Sequence, residues 1–154
     1  MSEARRLAEP MKAQRFDGYR VHLPIVTVRI ERNNVVARPA QALVDSGAAW
    51  TLAHMDIARS LGLDLEEVRR STERVTFAGA AGAKRLAWGV RVRMIVGGSP
   101  RSRIELDDTL VFFTDAPLAS FDLLLGQVGF FDRLTFVQLA QAPTPRFILE
   151  IPPK

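Results

Sequence analysis

The sequence predicts an all-β domain with one or two short helices, and three observations carry that prediction. Apolar residues recur at every second position: Val26, Val28 and Ile30 share one face against Thr27, Arg29 and Glu31, and Val90, Val92, Met94 and Val96 alternate with Arg91 and Arg93. Turn-forming residues break these runs, among them Asn33-Asn34, Gly97-Gly98-Ser99-Pro100 and Asp115-Ala116-Pro117. Helical spacing is confined to residues 52–61, with Gly62 as the stop, and to a short turn through Val128, Phe131 and Leu134.

The chain has 154 residues, 47% of them hydrophobic and 25% charged. That is the composition of one soluble globular domain and not of a disordered chain or a fibrous repeat. Cysteine is absent, which excludes disulfides, thiolate metal sites and a cysteine nucleophile, and fits a cytoplasmic location. The 21 Lys+Arg against 17 Asp+Glu give a net charge of +4, scattered along the chain. No stretch has the roughly 18 consecutive apolar residues of a membrane helix, so no membrane partner is expected. His22 and His54 are isolated in sequence, so neither a metal nor a cofactor is expected.

Taken in order, residues 1–18 are polar, interrupted by Pro10 and Gly18, and predict a flexible N-terminal arm ahead of a domain over residues 19–154. Residues 26–30 form a half-buried strand that turns at Asn33-Asn34, two residues that accept left-handed geometry, and returns through residues 35–38. Residues 41–44 are a short apolar strand running into Asp45-Ser46-Gly47, and the helix of residues 52–61 follows. Glu66, Glu67, Arg69 and Arg70 read as a solvated mixed-charge face. Residues 74–78 and 86–96 form a hairpin whose tip, Gly79 to Gly82, is built of small residues. Strands at residues 104–106 and 109–113, an apolar run over 121–125, and strands at 136–139 and 147–151 complete the chain.

Chemistry concentrates at Ala42-Leu43-Val44-Asp45-Ser46-Gly47-Ala48, where an acid sits in a tight turn directly after an apolar strand. Asp-Ser-Gly by itself is also an ordinary turn, because Asp and Gly are common turn formers. Leu123-Leu124-Leu125-Gly126, followed by Gln127-Val128-Gly129-Phe130-Phe131, supplies a second apolar strand ending in glycine, and the hairpin with the Gly79-to-Gly82 tip lies between the two. In the order and spacing of these three elements the chain resembles the retropepsin-like aspartic proteases over residues 19–151.

The resemblance implies a retropepsin-like acid protease fold, a two-fold homodimer and hydrolysis of a peptide or protein substrate. Two carboxyl groups must then share one proton, one acting as base toward water and the other as acid toward the carbonyl. The sequence has a single Asp-Ser-Gly, so the resemblance implies a dyad of Asp45 with Asp45 of a second chain across an isologous interface. It further implies that Ser46 ties the two turns together, that Gly47 lets the backbone approach substrate, and that Ala48 keeps the cleft small. Ala78, Gly79, Ala80, Ala81 and Gly82 would close over an extended peptide, a stretch that also reads as a plain hairpin turn. Leu124, Leu125 and Gly126 would support the turn. Trp50, bulky and close to it, reads either as core or as the lining of a substrate pocket.

Two other classes compete. One is a non-catalytic dimeric binding or scaffolding module on the same fold. The other is a nucleic-acid face built from Arg85, Arg91, Arg93, Arg101 and Arg103, which lacks a recognition motif or an aromatic stacking series, so nucleic acid is not the expected partner.

Overall fold

A computed structural model describes residues 5–79, 82–118, 120–139 and 144–153. Its elements are β1 (Arg5–Pro10), β2 (Lys12–Phe16), β3 (Tyr19–Leu23), β4 (Ile25–Arg32), β5 (Val35–Val36), β6 (Ala40–Val44), β7 (Leu52–His54), α1 (Met55–Ser60), α2 (Leu65–Arg69), β8 (Arg74–Ala78), β9 (Lys84–Ser99), β10 (Ser102–Thr114), β11 (Leu123–Leu125), β12 (Thr135–Leu139) and β13 (Arg146–Ile151). No helix among the described residues is long and apolar enough to cross a membrane.

An eight-stranded sheet, ordered β5-β4-β6-β11-β7-β10-β9-β8, forms most of the molecule. A further pairing of β4 with β9, Val28 opposite Val96 and Ile30 opposite Met94, closes β4, β6, β11, β7, β10 and β9 into a barrel. The period-two alternation puts Val26, Val28, Ile30, Val92, Met94 and Val96 into the core. Asn33 and Asn34 take φ of 51° and 63°, the left-handed pair that a tight hairpin between β4 and β5 requires. β11 inserts between β6 and β7, parallel to the first and antiparallel to the second. The chain leaving β6 must therefore pass the end of β11 before it can enter β7, and this crossing builds the site.

Several local expectations are corrected. Residues 5–11 are not an arm outside the core, while β2 pairs with β3 in a separate, largely exposed hairpin. Strand β1 pairs with β13, Leu7 opposite Leu149, and both side chains are fully buried. The partner of Leu7 lies at the other end of the chain, and the charges around it hide any local alternation. Leu52 belongs to β7, paired in parallel with β10, so α1 is shorter than the spacing predicts. His54 caps it, its Nδ1 accepting the Asp56 N–H, and Gly62 stops it at φ +72°. The mixed-charge stretch is solvated as expected, with Glu66, Glu67 and Arg70 exposed, and it lies on a second helix, α2, capped by Asp64. Residues 128–134 form turns rather than a helical turn, with N–H groups of Phe131 and Asp132 reaching five residues back to the carbonyls of Gly126 and Gln127. The strands expected at 104–106 and 109–113 are one strand, β10, with a register shift at Asp107-Asp108, where Asp108 has φ +50°.

Two of the five arginines considered for nucleic acid, Arg93 and Arg103, are engaged closely with acids. Arg93 pairs with Glu31 (3.2 Å), Glu105 (2.5 Å) and Asp107 (3.2 Å), and Arg103 pairs with Glu105 (2.7 Å). Burial pushes the Glu105 carboxyl up, but the hydrogen bonds and charges of Arg93 and Arg103 outweigh it and hold the group below its ordinary value of 4.5. A carboxyl with a lowered folded-state pKa adds stability above its unfolded pKa, and that stability is lost as pH falls through the folded-state value. Glu105→Gln is therefore expected to lower the urea midpoint at pH 7, with the gap to wild type closing toward pH 3. A gap that persists undiminished in acid would show that the charge is not what Glu105 contributes.

Candidate active site

Asp45 is fixed from both sides by backbone. The preceding Val44 N–H donates to the Pro24 carbonyl (2.9 Å), and the Asp45 N–H donates to the Leu125 carbonyl (2.9 Å) at the end of β11. The Ala48 N–H returns to the Asp45 carbonyl (3.1 Å) and closes the turn. Within it the Gly47 N–H donates to Asp45 Oδ1 (3.0 Å), so the carboxylate is oriented by its own turn. A Cβ at Gly47 would lie 3.3 Å from that same oxygen, which leaves little room for any larger residue.

The second strand-glycine motif locks onto the first. Residues 48–51 run beside residues 126–128: the Gln127 N–H donates to the Ala48 carbonyl (2.9 Å), the Val128 N–H to the Ala49 carbonyl (3.0 Å), and the Thr51 N–H to the Val128 carbonyl (3.0 Å). Gly126 lies at the crossing. A Cβ there would fall 2.6 Å from the Trp50 carbonyl carbon and 2.8 Å from the Ala48 carbonyl oxygen, so only glycine lets the two chains approach. Its N–H donates to Thr51 Oγ1 (3.2 Å), and Thr51 is completely buried. Gln127 Nε2 donates to the Ser46 carbonyl (2.7 Å), bracing the exposed tip of the turn.

A cleft of about 710 Å³ opens over the turn, within the size range of small-molecule and peptide sites. Asp45, Gly47, Ala48, Ala49 and Trp50 line it from the turn. Phe77, Ala78 and Gly79 line it from the β8–β9 hairpin, Pro117, Leu118 and Phe121 from the segment before β11, and Leu43, Leu52 and Leu124 from the strands. Among the described residues lining it, Asp45 is the one ionisable group, so a single carboxyl faces an otherwise apolar trough.

Of the residues singled out by sequence, Asp45, Gly47, Ala48, Ala78, Gly79 and Leu124 meet at this cleft. Leu125 and Gly126 are buried and reach the turn through the hydrogen bond to Asp45 and the close crossing. Ser46 is exposed at the turn. Gly82 takes φ +74°, and its N–H donates to the Gly79 carbonyl (3.1 Å) to close the hairpin; Ala80 and Ala81 lie outside the described residues. Trp50 is half-buried against Phe112 and lines the cleft. Thr51 and the wall residues Pro117, Leu118 and Phe121 carry no motif of their own, and their roles exist only once β11 lies between β6 and β7.

No family model matches the chain, and no curated protein matches it. Among solved structures it is similar to a retropepsin-like aspartic protease from Rickettsia conorii, with 19% sequence identity and a TM-score of 0.58, over 97% of this chain and 94% of that one. The closed sheet, the crossing at Gly126 and this likeness together establish that the chain has the retropepsin-like fold.

Proposed function

We propose that the chain is an aspartic endopeptidase whose catalytic unit is a homodimer, with Asp45 of each protomer forming the dyad. The observation that carries this reading is the placement of Asp45: one carboxyl, oriented by the Gly47 amide, alone among apolar groups in a cleft of peptide dimensions. A lone carboxyl can act as base or as acid but not both at once, so a second must come from a two-fold copy. In the dimer an ionised Asp45 takes a proton from water as the water oxygen attacks the scissile carbonyl carbon, while the protonated Asp45 of the second copy gives its proton to the carbonyl oxygen. As the tetrahedral diol collapses, the C–N bond breaks, the departing amine takes the proton held by the first carboxyl, and a diol hydroxyl gives its proton to the second carboxylate, leaving a carboxylic acid product and one proton on the dyad. Ser46, exposed at the turn, holds the two turns together, and the Ala78-to-Gly82 tip covers the extended substrate, whose main chain pairs with it as an added strand.

A fluorogenic peptide library assayed between pH 3 and 7, with and without a statine-type transition-state mimic, tests the reading. Cleavage blocked by the inhibitor is expected, following a bell in pH because turnover needs one carboxyl protonated and one ionised. A dimeric protein that cleaves no library peptide across that range, and that instead binds a protein partner, would identify the non-catalytic module.

A further inference from the structure

Residues 12–23 form a sheet of their own. Strands β2 and β3 pair only with each other, joined by Asp17-Gly18 at φ of 47° and 83°, the left-handed pair of a two-residue hairpin loop. The register puts Phe16 opposite Tyr19 and Gln14 opposite Val21 on one face, and Arg15 opposite Arg20 on the other. Phe16 (46% exposed), Tyr19 (76%) and Val21 (37%) are three of the six exposed large hydrophobic side chains among the described residues, so half of them share one small face. A lone two-stranded hairpin is marginal in water, and one that is apolar on one side and charged on the other gains stability when its apolar side is covered.

The hairpin stands at the end of the barrel that carries Asp45. Pro24, which joins β3 to β4, accepts the Val44 N–H (2.9 Å), and Ile25 lies opposite Leu43, so β3 departs from β4 level with the Asp45 turn. At about 3.3 Å per residue, β3 has a reach of roughly 16 Å from that point. We propose that the β2–β3 hairpin is an arm that packs its Phe16, Tyr19 and Val21 face on a second copy of this chain. The proposal rests on the peptidase reading of Asp45 and names an element that holds its dimer together. Two carboxyls that share a proton lie within hydrogen-bond distance, so in that dimer the second copy abuts the Asp45 end of the barrel. The apolar face stands at that end with no strand of its own chain beyond the hairpin paired to it. Arg15 and Arg20, exposed and like-charged across the pair, keep the opposite face in water.

Phe16→Thr/Tyr19→Thr/Val21→Thr keeps β-branched residues in the strands while removing the apolar face. Sedimentation is expected to show its dimer dissociation constant raised by about 100-fold, with the far-UV spectrum unchanged and with specific activity that falls on dilution and recovers at high protein concentration. Val35→Thr/Val36→Thr, exposed on β5 at the far end of β4, is the control and is expected to dimerise as wild type does. The second measurement needs no such variant to fold. The chain has no cysteine, so Tyr19→Cys carries a single photo-crosslinker, and irradiation is expected to give a covalent species of twice the chain mass, which the same label at Val35→Cys does not. A folded Thr variant with wild-type dimer affinity, or a crosslink confined to one chain, would overturn the arm and leave the shared dyad standing. Flotation of wild type but not of that Thr variant with phosphatidylserine vesicles, at unchanged dimer affinity, would give the face to a lipid surface instead. Wild type that dimerises through the hairpin and cleaves nothing would overturn the peptidase reading and keep the arm. Wild type that stays monomeric would overturn the arm, and the shared dyad with it if the monomer cleaves.

Discussion

Asp45→Asn is expected to abolish peptide cleavage, with a loss in kcat/KM on the order of 10³-fold or more, while the far-UV spectrum and the thermal midpoint stay close to wild type. The two halves of that expectation have separate causes. Asn keeps the shape of Asp and a side-chain oxygen in the place of Oδ1, so the hydrogen bond from the Gly47 N–H is retained, and the backbone bonds to Leu125 and Ala48 do not involve the side chain at all. What is lost is the proton that must cycle between water, substrate and enzyme. Other aspartates serve as controls because the structure gives them unrelated partners. Asp122 pairs with Arg38 (3.2 Å), Asp115 with Arg69 (3.3 Å), and Asp132 Oδ2 accepts the Gly129 N–H (3.3 Å). Their Asn variants are expected to remain active. Wild-type cleavage by Asp45→Asn would remove Asp45 from the chemistry.

Gly126→Ala is expected to produce the largest loss of stability, on the order of 3 kcal/mol, from a single added methyl group. The atoms it would strike, the Trp50 and Ala48 carbonyls, are backbone and cannot swing aside as the tip of a side chain can. Relief would require separating residues 48–51 from 126–128, which breaks the hydrogen bonds from Gln127, Val128 and Thr51 across the crossing. Activity should fall with stability, because the Asp45 N–H is anchored on Leu125, the residue next to Gly126. Gly98→Ala is the matched control: nothing lies within 4 Å of its added Cβ, and a change within about 0.5 kcal/mol is expected. Equal urea midpoints for the two variants would show that the crossing yields easily, contrary to its geometry.

The fold class was legible because its strands write themselves locally. Val26, Val28 and Ile30 alternate with polar residues, and Asn33-Asn34 marks the turn with two residues that tolerate positive φ. The candidate site was legible through its glycines: Gly47 closes the turn around the acid, where a Cβ would lie 3.3 Å from Asp45 Oδ1, and Gly126 is the position where backbone approaches backbone and no larger residue fits. What could not be read depends on partners distant in sequence. Strand β1 exists because β13 lies beside it, and nothing in the neighbourhood of Leu7 announces Leu149. Leu52 has a helical neighbourhood but is drawn into β7 by Phe112 and Leu124, which pair with it from either side. Thr51 reads as an ordinary residue until the Gly126 N–H is brought to its hydroxyl. The surroundings of Arg93 were hidden for a similar reason: the acids that pair with it come from β4 and β10, not from its own strand.

The central claim is that each active unit needs Asp45 from two copies of the chain, and subunit mixing tests it most directly. Wild type and Asp45→Asn are combined at constant total concentration, allowed to exchange subunits, and assayed on one cleavable peptide as the wild-type fraction varies. If the dyad is shared across a two-fold axis, mixed dimers are inactive and activity follows the square of that fraction, falling to about one quarter at equal mixing. Activity that falls in a straight line, to about one half, would show that each chain works alone and would contradict the shared dyad.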